Sequence, residues 1–327
     1  MTVHYNLPPA DLRALQERRL IRRASNSIGA AFLIMTALTT FLSAGLGLLF
    51  AYGVRNVSIL QDAGFLWLEQ TFFSALGFVP PFILAAKLMD FRLSDLIGMR
   101  PVRASLCIPL VMVCMGAFLL GNVATSYLGQ LFEGVGISPS QMSIAPPRGV
   151  WGTILYYLSV SAVPALVEEF ALRGVVMNSL RRFGDGFAVF VSALLFGLMH
   201  GNLIQAPFAF VAGLALGYAD IAAGSLWPSI LAHLINNFFA TLVTDGIAMA
   251  PAQMQDFLSV GYTLLLAVIG IVGVLLLLRE KPAAFRAPAS HTALSGGQKV
   301  RAFLLTPCMI FALLDFAATM IYVQFFY

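Results

Sequence analysis

Glu168, Glu169, Arg173, His200, His233 and Asn237 stand within apolar stretches of this chain, where ionisable and strongly polar groups are costly. Glu169 and Arg173 are four residues apart, so on a helix they share a face and can pair. Glu168 is turned about 100° from Glu169 and points elsewhere. His233 and Asn237 are also four apart, which gives one helix face an imidazole and an amide. His200 follows Phe196 by one turn. A carboxylate beside an imidazole forms a general-base pair able to take a proton from water. A second imidazole and an amide are donors suited to a developing oxyanion. These are the parts of a hydrolase that attacks a carbonyl with water and needs no Ser or Cys nucleophile. The same residues admit other readings. Glu168, His200 and His233 form a candidate His₂Glu zinc set contributed by three helices, without an HExxH sequence. Buried Glu and His also build proton relays in transporters, or simply hold helices together.

The surrounding elements must be membrane helices. The 327 residues are 59% hydrophobic and 10% charged, with mean hydropathy +0.87 and a formal net charge of +4. A soluble domain carries about 25% charged residues. That contrast excludes a soluble enzyme, a disordered chain and a nucleic-acid binder, and predicts an all-α polytopic transmembrane bundle. Spans are expected near 27–52, 65–89, 105–130, 151–180, 186–201, 204–222, 226–244, 257–278 and 302–325, about nine, or eight if 186–222 packs irregularly. Basic residues fall in alternate loops: Lys87, Arg92, Arg100 and Arg103; then Arg181 and Arg182; then Arg279, Lys281, Arg286, Lys299 and Arg301. Of the intervening loops, 131–150 has Arg148 as its one positive charge, and 245–256 has Asp245 and Asp256 but no Lys or Arg. This alternation places the N-terminus in the cytoplasm and the C-terminus outside. The expected organisation is a cytoplasmic segment 1–26, transmembrane helices 27–149, a catalytic core 150–245 and transmembrane helices 246–327.

Helical rise places Glu168 and His200 at matching depth, each about 21 Å from the loop at 181–186. By the same measure His233 lies only about 10 Å above Leu226, which implies a tilt or a re-entrant loop at 222–228, permitted by Gly224 and Pro228. Gly213 and Gly217 predict close helix packing. Cys107, Cys114 and Cys308 lie in apolar stretches and read as packing residues. Asp315 and Glu69 read as structural, His4 and His291 fall in polar segments, and the aromatic tail 322–327 reads as an interface belt.

The six polar residues also fall into ordered motifs. Glu168-Glu169-Phe170-Ala171-Leu172-Arg173 reads EExxxR, Phe196 to His200 reads FxxxH, and His233 to Asn237 reads HxxxN. With the last preceded by the segment from Gly224 to Ala232, these resemble the CAAX protease and bacteriocin-processing (Abi) family, which includes the type II CAAX prenyl endopeptidases. The resemblance covers about residues 150–245. It implies Glu168 as water activator, His200 as its assistant, His233 and Asn237 as oxyanion donors, and Glu169 and Arg173 as supporting residues. It implies no cofactor, with zinc as the alternative. It implies a membrane-associated peptide or protein substrate, no nucleic acid, and a location in a bacterial cell membrane; the oligomeric state is left open. Two other classes stay open beside it: a transporter, and a non-enzymatic scaffold or immunity protein.

Overall fold

The computed structural model describes residues 9–54, 62–137, 149–285 and 292–326. His4, Arg148, Arg286, His291 and Tyr327 lie outside the described residues. Helix α1 spans Pro9–Leu48, followed by a π-helical stretch Leu49–Val54. Then come α2 (Ala63–Leu88), the single turn α3 (Leu93–Leu96) and α4 (Ala104–Gly134). Next are α5 (Gly149–Tyr157), a second π stretch Leu158–Ala162, α6 (Val163–Glu169), a third π stretch Phe170–Met177 and the short α7 (Asn178–Leu180). The chain continues through α8 (Asp185–Leu198), α9 (Gln205–Ala223), α10 (Trp227–Met249) and α11 (Ala252–Glu280), and ends with α12 (Gly296–Leu304) and α13 (Pro307–Phe326).

Among the described residues eight helices are long and apolar enough to cross a membrane, and α8, with 14 residues, is a shorter apolar ninth. The all-helical bundle expected from composition is thus observed, and the chain is an integral membrane protein. Helices suit that solvent because they satisfy their own backbone groups. Two boundaries differ from the sequence reading. The polar segment before the first span does not stand apart, because α1 already begins at Pro9 and runs through Arg18–Arg23 into the apolar run. Part of the loop expected at 279–301 is helical: Ser295 caps α12 in a reciprocal capping box with Gln298.

The basic loops gather at one end of the bundle. Ser225 Oγ donates to Arg100 O at 2.7 Å, Lys281 Nζ to Ala222 O at 3.0 Å, and Lys299 Nζ to Phe183 O at 2.7 Å. Lys299 is buried, and its ammonium also reaches Thr292 Oγ1 at 2.6 Å. Across the bundle, Thr36 Oγ1 donates to Asp315 Oδ2 at 2.9 Å, the structural use expected for that acid, and Ser43 Oγ donates to Glu69 Oε1 at 3.1 Å.

Small residues set the closest helix crossings. A Cβ at Gly213 would stand 2.8 Å from Ala193 Cα, which lets α9 lie directly on α8, as the Gly213/Gly217 spacing predicts. A Cβ at Gly116 would stand 2.7 Å from Gly270 Cα, so α4 and α11 touch backbone to backbone.

No re-entrant loop interrupts 222–228. Gly224 adopts a left-handed conformation (φ 66°) at the end of α9, and α10 starts at once with Pro228 in its first turn. Leu226 N donates to Gly98 O at 2.9 Å, so the segment after α3 meets this turn.

Candidate functional site

Glu168 and Glu169 are the last residues of α6, where the helix widens into a π stretch. Such widened turns are rare and frequently occur at functional sites. Their side chains diverge as the 100° rotation predicts, yet they converge on one imidazole. Glu169 Oε1 accepts from His233 Nδ1 at 2.9 Å, while Glu168 Oε2 lies 3.8 Å from His233 Nε2. Glu169 Oε1 also accepts from Arg173 Nη1 at 3.0 Å, and both of those side chains are fully buried. The expected Glu169–Arg173 pair is present, and the carboxylate has a second duty in holding His233.

Phe196, on α8, organises the aromatic side of the site. The Arg173 guanidinium lies over its ring, 4.2 Å from the centroid. The His200 and His233 rings meet it edge to face at 5.0 and 5.8 Å. His200 Nδ1 is 2.6 Å from Phe196 O. A carbonyl only accepts, so that nitrogen carries the proton and Nε2 is the ring's remaining polar atom. The turn that follows uses Gly201 at φ 60° to leave α8 and enter α9.

Asn237 is positioned by a proline. Pro164 has no N–H to give to the carbonyl four residues back. That carbonyl, Val160 O, accepts from Asn237 Nδ2 at 3.2 Å. Asn237 Oδ1 accepts from Asn236 Nδ2 at 3.2 Å, so the amide orientation is fixed from both sides.

Glu168, His200, His233 and Asn237 line a single cavity of about 480 Å³. Its walls add Trp67 and Gln70 from α2, Phe118 from α4, and Phe208 and Ala212 from α9. Glu169 and Arg173 lie behind this lining. Glu168 Oε2 is buried and has no hydrogen-bond partner among the described residues. Because Glu168 also lines the cavity, a water there can reach its carboxylate.

The donor chemistry of Glu168 and the two imidazoles suits zinc in kind, since each histidine gives Nδ1 to an oxygen acceptor. In placement it does not fit: among the described residues no three His, Cys, Asp or Glu side chains are grouped to hold a metal ion. The cysteines are free, and Cys114 is buried in the apolar core.

Asn236, Pro164 and Trp67 were not singled out by the sequence reading. Nor was Asp220, a buried acid near the end of α9. A carboxylate inside the span expected at 204–222 was the signal available for it.

Residues 150–239 match the family model of the Type II CAAX prenyl endopeptidase Rce1-like proteins. No curated protein and no solved structure matches the chain. The matched segment contains all six polar residues of the cluster and every cavity-lining residue from Ser159 to Asn237. In general terms the match supports a CAAX-type membrane endopeptidase. Over residues 150–239 it supports a CAAX-protease-like family assignment.

Proposed function

We propose that this chain hydrolyses peptide bonds of a membrane-associated peptide or protein, using water activated by Glu168. The observation that carries this reading is the bare Glu168 Oε2, set in the cavity it shares with His200, His233 and Asn237. Glu168 takes a proton from water as the water adds to the carbonyl carbon, and returns it to the leaving amine. His200 assists through Nε2, with Nδ1 committed to Phe196 O. Asn237 offers its free amide proton to the developing oxyanion. His233 has carboxylates facing both ring nitrogens, Glu169 at Nδ1 and Glu168 at Nε2. In the form that carries both protons it donates from Nε2 while Glu169 keeps the ring in place.

The reaction needs no cofactor in this reading, and no step is assigned to a metal. The test is cleavage of a quenched peptide ending in a farnesylated cysteine and three apolar residues, alongside a pool of unlipidated apolar peptides. Wild type and Glu168→Gln are compared with and without chelator, and bound metal is quantified. Cleavage that survives chelation and is lost in Glu168→Gln is the expected result. Stoichiometric zinc, with activity lost on chelation, would overturn the metal-free mechanism. Cleavage undiminished in Glu168→Gln would remove Glu168 as the base.

A further inference from the structure

Asp220 is a carboxylate 3% exposed within the bundle, and the hydrolytic reading gives it no task. Both of its oxygens are bound by one residue. Oδ1 accepts from Ser229 N at 3.3 Å, and Oδ2 accepts from Ser229 Oγ at 2.9 Å. Its own carbonyl accepts from Gly224 N at 2.7 Å and Ser225 N at 3.3 Å. Side chain and main chain of Asp220 therefore grip the whole turn between α9 and α10.

Ser229 lies in the first turn of α10, whose N–H groups lack intrahelical partners. The residue before that helix makes no side-chain cap. Asp220 supplies the cap from the preceding helix, through acceptor oxygens at the start of α10. His233 is one turn beyond Ser229, and Asn237 one turn beyond His233. A rotation or slip at the start of α10 would therefore pass to both. The Glu169–His233 bond at 2.9 Å and the Asn237–Val160 bond at 3.2 Å have little room for such a slip.

We propose that Asp220 is a positioning residue for His233 and Asn237, acting through its two hydrogen bonds from Ser229 at the start of α10. This rests on the hydrolytic reading of the cavity. The task is geometric: an acceptor of the same shape does it without charge, and a side chain with no acceptor does not.

The test has two readouts on the full chain in detergent. The first is ¹⁵N–¹H resonances of histidine-labelled protein, with His233 assigned from the spectrum of His233→Gln. The His233 Nδ1–H signal is expected far downfield in wild type, retained in Asp220→Asn and lost in Asp220→Ala. Ser229→Ala keeps the backbone bond and is expected to shift the signal part of the way; it also serves if Asp220→Ala does not fold. An unchanged signal in both alanine variants would overturn the proposal, whatever the protein cleaves. The second readout is kcat and KM on the quenched farnesylated peptide. Asp220→Ala is expected to lose on the order of 10²-fold in kcat with little change in KM, the scale of a small misplacement of catalytic groups. Asp220→Asn is expected to recover most of that loss. Equal losses in Asn and Ala would overturn the geometric role and leave charge as the requirement. Full activity in Glu168→Gln would count against the hydrolytic reading alone, since the resonance test judges Asp220 without it.

Discussion

Glu168 and Glu169 are neighbours in sequence, yet they face opposite nitrogens of His233, at 3.8 Å and 2.9 Å. One helix turn thus supplies both a free carboxylate for the cavity and a bound one for the imidazole. The two glutamates are not interchangeable, and substitution should separate them.

Glu168→Gln removes the base while keeping side-chain shape. Its side chain is 16% exposed and, among the described residues, is held by no ion pair with an arginine or lysine. The variant should express and melt like wild type, with turnover reduced on the order of 10²–10⁴-fold. Peptide cleavage and thermal unfolding measured on the same preparation check both halves of this expectation.

Glu169→Ala should fail differently. It leaves the Arg173 guanidinium buried without its carboxylate, a loss on the order of 3–5 kcal/mol. Replacing Glu169 and Arg173 together by apolar residues of similar volume should recover much of that stability, though not the activity, because His233 still loses its Nδ1 acceptor. Unfolding midpoints of the two single variants and the double variant give the coupling directly.

Asn237→Ala should lower kcat by on the order of 10²–10³-fold with KM little altered, the signature of a lost oxyanion donor. Pro164→Ala should weaken the same function without touching the cavity lining at Asn237. It restores an N–H that can compete for Val160 O, so kcat should fall while the melting temperature holds or rises. A fall in both would identify Pro164 as a folding determinant instead.

Lys299→Met should free the segment around Thr292 from Phe183. Two charge-assisted hydrogen bonds are lost from a buried ammonium, each worth about 1.5–3 kcal/mol. Protease susceptibility near residues 285–295 should rise well before the rest of the bundle melts. Unchanged digestion would show that α12 is held by its apolar face alone.

Much of the site was legible because helix periodicity is local. The spacing from Glu169 to Arg173 and from His233 to Asn237 fixes shared faces before any tertiary contact is known. The matching depth of Glu168 and His200 needed only the helical rise and one short loop. Depth was less informative for His233, which meets Glu168, Glu169 and Phe196 through contacts far apart in the chain. The turn before it bonds to Gly98, more than 120 residues earlier in the chain. Asp220 was missed for a related reason: an acid one turn from a helix end reads as a surface residue until its partner is seen. Lys299 likewise counts as a loop charge in sequence, though it is buried against Phe183. The π stretches leave no composition signature, although Pro164 marks where one must yield.

The cavity draws its reactive groups from the segment 150–239, but Trp67, Gln70 and Phe118 come from α2 and α4. On the proposed reading, part of the wall that a peptide would meet is thus carried by stretches outside the one that holds the reactive groups. Changes in the first 134 residues can reshape which peptide is admitted while the proton-transfer apparatus stays intact. On that reading, substitutions in α2 and α4 would alter peptide preference before they alter turnover.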